Sequence, residues 1–208
     1  MTRQPSQLPT AVHQLLVQLI PEPPAADLGR SRQRLLTWYQ AEAPAIAWCE
    51  MATPIGPLFL AAGPAGLQRI SFADSQADFL GEFEPSTRLV HDPDGLAPYL
   101  DQLRSYFGGQ RRTFSLRLDM SSLTDFQRAV LRAAAEIPAG QVQSYAQIAR
   151  RLRKPKAARA VGQALRSNPL PIVLPCHRVI TSDGRLGGYA GGLKRKRALL
   201  TLEGALFA

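Results

Sequence analysis

From 137 to 182 the chain contains no Asp or Glu, while Arg and Lys recur throughout. Two helical patterns fall inside this stretch. Ser144-Tyr145-Ala146-Gln147 has the form of a capping box, a hydroxyl N-cap with Gln three residues on. The helix it opens places Ile148, Ala149 and Leu152 on one face and ends near Arg153-Lys154. Pro155 suits the first turn of a second helix, predicted over 156–166. By 3.6-residue periodicity, Ala157, Ala160, Val161, Ala164 and Leu165 face inward on that helix. Ala158, Arg159, Gly162, Gln163 and Arg166 face outward. Small residues between arginines make a face that can approach a phosphate backbone closely. Two short helices joined by a tight turn match a DNA-binding helix-turn-helix.

The charge map agrees. Residues 121–208 hold 15 Lys+Arg and 4 Asp+Glu, a net of +11, whereas residues 1–120 hold 10 and 12, a net of −2. A polyanion partner is therefore expected for the C-terminal half alone. A second basic run, Lys194-Arg195-Lys196-Arg197, opens a last helix and offers further phosphate contacts.

The acid-free stretch leads into Ile172-Val173-Leu174-Pro175-Cys176-His177-Arg178-Val179. The apolar run reads as a strand, and Pro175 turns the chain so that the sulfur sits at the strand end. A free thiol has a pKa of about 8.5, so only a few per cent is thiolate at neutral pH. An imidazole and a guanidinium beside Cys176 raise that fraction, which a sulfur nucleophile requires.

Together, Ser144-Tyr145, Lys156-Ala-Ala-Arg159-Ala-Val-Gly162, Arg166-Ser-Asn168-Pro169 and Pro175-Cys176-His177-Arg178-Val179 resemble the O6-alkylguanine-DNA alkyltransferases. Gly188-Tyr189-Ala190-Gly191-Gly192 and Leu199-Leu-Thr-Leu-Glu203-Gly204 extend the match, which is continuous from about Phe126. Thr53-Pro-Ile-Gly-Pro57 followed by Gly66-Leu67 is similar to the start of that family's N-terminal domain. The resemblance implies that Cys176 takes the alkyl group, with His177 and Glu203 activating it through a water, as in a triad. It implies that Asn168 braces the turn before the active site and that Tyr145 donates to the extruded guanine. Arg159 corresponds to the finger that fills the gap left in the duplex. Ala158, Gly162, Gln163 and Arg166 complete the implied DNA face, and Cys176, Val179, Tyr189 and Ala190 the implied base pocket. The chain departs from the pattern at Ala190, where some members have Ser, and at Gln163, where some have a small residue. The implied reaction is single alkyl transfer from O6-alkylguanine, and from O4-alkylthymine, in duplex DNA to a monomeric protein, with neither cofactor nor metal.

Three other readings compete with it: a non-enzymatic protein that binds alkylated DNA, a helix-turn-helix regulator with a redox-sensing Cys, and a cysteine hydrolase, which lacks any sign of an oxyanion hole and leaves the basic helices unexplained. The first would lack the cysteine, and the second needs base-reading side chains that an Ala- and Gly-rich groove helix does not supply.

The remaining sequence bounds the fold. Two cysteines, Cys49 and Cys176, are too few for a disulfide framework, and Cys49 lies in an apolar stretch that reads as core. His13, His91 and His177 lack metal-ligand spacing, so no metal site is expected. No segment is long enough to span a membrane and no signal-peptide core follows Met1, which leads to a cytoplasmic expectation. Residues 1–43 read as an extension, with short helices over 12–20 and 27–39 and no visible chemistry. From 45 the pattern is strand, Pro-Ile-Gly-Pro turn, strand over 58–62, turn, strand over 67–72, an antiparallel meander. A helix over 96–107 turns Leu96, Tyr99, Leu100 and Leu103 inward. The expected fold is α+β: an N-terminal domain over 44–120 with an antiparallel sheet plus helices, then a mainly helical DNA-binding and alkyl-acceptor domain over 121–208.

Overall fold

The computed structural model describes residues 44–205, together with 29–31, 33 and 34. The chain divides into two compact units, Met1–Ala43 and Pro44–Ala208. In the first, the five described residues are helical and exposed, and the rest of the expected helices over 12–20 and 27–39 lies outside the described residues.

The first half of the second unit is the expected meander. β1 (Ile46–Met51), β2 (Leu58–Gly63) and β3 (Gly66–Ser71) pair antiparallel in succession. Alternation sends Cys49, Met51, Leu58 and Leu60 to one face, into the main core, and a register shift opposite Ala61 and Ala62 lets both Leu67 and Ile70 of β3 join them. Trp48, Phe59 and Ala61 point the other way, where Phe79 of the short helix α1 (Gln76–Leu80) covers them. A fourth strand, β4 (Leu89–His91), adds parallel to β1, giving the order β3-β2-β1-β4. It was not expected: three residues, one of them His, carry too little alternation to read.

Helix α2 (Ala97–Phe107) closes this half, with Leu96 as its N-cap rather than within it and Pro98 in the first turn. Leu100, Leu103 and Tyr106 are buried, while Tyr99 is only half-buried. Burying each leucine stabilises the fold by about 1.5–3 kcal/mol.

The second half is helical. α3 (Asp125–Ala135) starts at a complete capping box formed by Thr124 and Gln127. The strand pair β5 (Gln143–Ser144) and β6 (Val179–Ile180) is parallel and only two residues long. Ser144 then caps α4 (Tyr145–Arg151) by the expected reciprocal bonds with Gln147. The turn to α5 (Ala158–Arg166) uses Arg153 in the left-handed region, at φ 57°, with Lys154 N donating to Ala149 O at 2.9 Å. Pro155 does not enter the second helix. It sits in the connecting turn, and α5 begins at Ala158 after an Ala157 N-cap. Last comes α6 (Gly192–Leu202).

α3, α4 and α5 pack on one another, and one hydrophobic cluster runs from Cys49 and Leu60 of the sheet to Val161 and Leu199 of the helices. The two halves differ in secondary structure but share a core. Among the described residues no helix is long and apolar enough to cross a membrane.

Candidate active site

Cys176 does not stand at the end of a strand. Pro169, Pro171 and Pro175 remove three ladder donors in seven positions, so 169–175 cannot pair in a sheet and instead folds into turns. Ile172 takes φ 74°, a conformation that is strained for a β-branched residue. Leu174 N donates to Leu170 O at 2.8 Å and Cys176 N to Leu174 O at 2.8 Å. Cys176–Arg178 form one 3-10 turn, and β6 follows. Asn168 lies at the centre of this loop. Its Nδ2 donates to Leu174 O at 2.8 Å and to Cys176 Sγ at 3.1 Å, while its Oδ1 accepts from Leu170 N at 3.0 Å.

Behind the thiol, three side chains meet at Glu203, just past the end of α6. Oε1 lies 3.0 Å from His177 Nε2, accepts from Arg178 Nη2 at 2.8 Å, and accepts from Tyr106 Oη at 2.7 Å. Oε2 accepts from Arg178 Nε at 2.8 Å, and Arg178 Nη1 donates to Ile137 O at 2.6 Å. Burial pushes the Glu203 carboxyl up, but bonds from His177 and Arg178, with their charges, outweigh it and hold it at about 2. Burial holds His177 below its ordinary value, helped by the charges of Arg178 and Lys196 and opposed by Glu203. The imidazole is therefore neutral near pH 7. Because an ionised Glu203 can only accept, the proton belongs on Nε2, which leaves the lone pair on Nδ1, an atom with no protein partner.

The thiol at rest is not the partly ionised group that its neighbours in sequence imply. Burial pushes Cys176 up to about 11; Asn168, the charge of Lys196 and two backbone N–H groups pull the other way without prevailing. Arg178, two positions on in sequence, spends its donors on Glu203 and Ile137. Cys176 is thus a protonated thiol with a neutral base beside it in the chain.

In front of the thiol lies a cavity of about 1090 Å³. Cys176, Tyr145, Tyr189 and Ala190 line it, and so do Ala158, Arg159, Gly162, Gln163 and Arg166 of α5. Val179 is fully buried behind these walls. Arg159, Gln163 and Arg166 are exposed, and Ala158 is half-buried against the core. Ala160, expected inward, is exposed because it lies about 100° round the helix from Val161. Tyr145 is the first residue of α4. Burial, and the nearby Cys176, push its phenol up and keep it a donor. Its ring passes Gly162, and a Cβ on Gly187 (φ +66°) would lie 2.8 Å from its hydroxyl.

The basic run of α6 divides. Lys194 and Arg197 are exposed, but Lys196 is fully buried. Its Nζ donates to Val179 O at 2.6 Å and also to Leu186 O, tying β6 to the pocket loop; burial lowers the ammonium to about 8. Arg195 Nε donates to Ile55 O at 3.0 Å, its guanidinium lies over Phe72 at 5.2 Å, and Phe72 contacts Tyr189 at 5.9 Å. Half of the run expected at phosphates therefore braces the pocket from behind. Lys196, Leu199, Leu200 and Glu203 follow i, i+3, i+4, i+7 spacing, a signal that two charged residues lie on the inner stripe. Tyr106 likewise continues the Leu96, Leu100, Leu103 stripe of α2. Cys49 is buried in β1, where burial pushes its thiol up to about 11, and both cysteines are free. Among the described residues no three His, Cys, Asp or Glu side chains form a metal cluster, and His13 lies outside them.

Comparison with known proteins matches 46–120 to the 6-O-methylguanine DNA methyltransferase ribonuclease-like domain, and 125–205 to the DNA binding domain of the same family. The methylated-DNA–protein-cysteine methyltransferase of Mycobacterium tuberculosis is 44% identical over 152 residues, covering 73% of this chain and 88% of its own. Its namesake in Methanosarcina acetivorans is 39% identical over 153 residues, 74% of this chain and 95% of its own. Among solved structures, Mycobacterium tuberculosis OGT in complex with DNA superposes with a TM-score of 0.67 at 39% identity, covering 76% of this chain and 93% of that one.

Proposed function

The chain belongs to the 6-O-methylguanine DNA methyltransferase family, and we propose that it repairs DNA by moving the alkyl group of O6-alkylguanine onto its own Cys176. The observation that carries this reading is that Cys176 opens into the same cavity as the basic face of α5, with the Glu203–His177 pair behind it. The duplex lies along Ala158, Arg159, Gly162, Gln163 and Arg166, whose small residues permit close approach. Arg159 fills the stack where the damaged base leaves it. The target atom is unreachable inside the duplex, so the base turns out into the cavity beside Tyr145, Tyr189 and Ala190. Backbone groups at Cys176, Val179, Tyr189 and Ala190 read its edge.

Cys176 Sγ attacks the alkyl carbon. The S–C bond forms, the C–O6 bond breaks, and its electron pair passes into the guanine ring. The thiol proton goes to His177 Nδ1, directly or through a water, and Glu203 stabilises the imidazolium. Tyr145 donates to the departing ring, lowering the cost of its negative charge. The ring anion takes a proton from Tyr145, and the imidazolium returns its proton through water to the phenolate, so the net transfer moves one proton from thiol to guanine. A resting thiol at about 11 makes the proton acceptor essential rather than auxiliary. The thioether has no leaving group that water displaces readily, so each molecule reacts once. The same chemistry admits O4-alkylthymine, and one molecule suffices for one lesion.

Intact mass after incubation with an O6-methylguanine duplex tests the reading. One methyl, about 14 Da, should appear on the peptide holding Cys176. Tight binding with no mass gain would favour a non-enzymatic damage binder, and a methyl on Cys49 would overturn the acceptor assignment.

A further inference from the structure

One of the donors at Glu203 comes from outside the helical half. Tyr106, on α2, lies 97 positions away in sequence and is fully buried, and its hydroxyl reaches Glu203 Oε1 at 2.7 Å. The ring has other work: it sits in the core with centroids 5.3 Å from Phe107 and 5.4 Å from Phe114. A phenylalanine would fill that space equally well. A phenol costs more to bury unless its hydroxyl is matched, and here it finds the same oxygen that faces the imidazole. Arg178 fixes the plane of the carboxylate through one bond to each oxygen, and Tyr106 and His177 share Oε1.

We infer that Tyr106 is a positioning residue for alkyl transfer, its hydroxyl holding Glu203 Oε1 against His177 so that the sheet-bearing half of the chain adjusts the base that Cys176 depends on. The inference rests on the reaction proposed above. His177 is faced by Glu203 and Lys196 near or on α6, by its neighbour Arg178, and by the ring edge of Tyr189 at 6.5 Å. Glu203 is faced by His177, Arg178 and Tyr106, and Arg112 also acts on Tyr106. Burial and the charge of Glu203 push the phenol far up, so it remains a donor at every working pH. With the hydroxyl gone, the carboxylate charge falls more fully on His177, and the imidazole holds its proton more tightly.

Single-turnover methyl transfer by the full chain on an O6-methylguanine duplex, measured from pH 5 to 9, tests this. Tyr106→Phe should bind the duplex like the parent but shift the acid limb up by about half a pH unit, about threefold in rate on that limb. In a His177→Ala background the same change should alter the rate by less than about 1.5-fold, because the base it acts through is missing. An unmoved limb, or equal slowing in both backgrounds, overturns the inference and leaves Tyr106 as packing. Should Tyr106→Phe fail to fold, 3,5-difluorotyrosine at 106 keeps the ring and strengthens the donor. It should move the limb down, and an unmoved limb is again fatal. If the parent accepts no methyl, the proposed reaction is what has failed. NMR titration of the His177 imidazole, with Tyr or difluorotyrosine at 106, then decides the role of Tyr106 separately.

Discussion

Glu203 Oε1 lies 3.0 Å from His177 Nε2, and neither side chain is exposed to solvent. The pair makes the fold itself sensitive to acid. His177 is held below its ordinary pKa, so the unfolded chain binds its proton first; stability present above about pH 6.5 is lost as the pH falls below it. Glu203 has a folded pKa of about 2, so its contribution is present above the unfolded value near 4.3 and is lost as pH falls toward 2. Denaturant midpoints should decline in both windows. The upper decline should be missing in His177→Ala.

Glu203→Gln removes the negative charge and one of the two acceptor oxygens from a buried guanidinium. Breaking a buried pair on one side costs about 3–5 kcal/mol, so the variant should melt well below the parent. Methyl transfer should fall by at least about 100-fold at pH 7. Parent-like transfer by folded Glu203→Gln would exclude the carboxylate from the relay.

A small electrophile in place of DNA reports the thiol directly. In a Cys49→Ala background, Cys176 should react slowly at neutral pH and ever faster toward pH 11, because burial holds its proton. A reactivity midpoint near pH 6 or 7 would mean that the resting thiol is already activated.

Asn168→Ala leaves the Leu174 carbonyl and the Leu170 amide without their side-chain partner. Each buried group left unmatched costs about 1–3 kcal/mol. A drop in melting temperature, with slower methyl transfer at saturating DNA, is the expected result.

Arg159 and Arg166 both line the cavity, yet they should fail differently when cut to Ala. Loss of Arg166 should weaken binding to all duplexes alike and reduce the salt slope by about one. Loss of Arg159 should leave undamaged binding closer to the parent but slow methyl transfer, since the flipped state loses its support. Identical behaviour of the two variants would remove the special role of Arg159.

Local signals in the sequence were reliable where one interaction dominates. The Ser144–Gln147 box gave α4, and the strand–turn–strand alternation gave the meander. Thr124 and Gln127 carry the same box ahead of α3, where it stands without a neighbouring motif to single it out. The apolar 172–174 run has a strand's composition, but the prolines around it override that signal and leave turns. Closeness in sequence places Arg178 by Cys176, whereas its side chain reaches Glu203 and Ile137. The Tyr106–Glu203 bond has no local signature at all, since only the folded core brings positions 97 apart together.

Tyr145 belongs to two structures at once: it is the first residue of α4, which Ser144 caps, and a wall of the cavity, with its ring along Gly162 of α5. Under the proposed function, a duplex pressing on α5 would lean on the same ring that would receive the base. The helix pair and the reaction chamber share a joint, so grip and readiness cannot be tuned independently. Changes at Gly162 that improve hold on DNA should be felt at the sulfur, and a chain optimised for one task carries the other along with it.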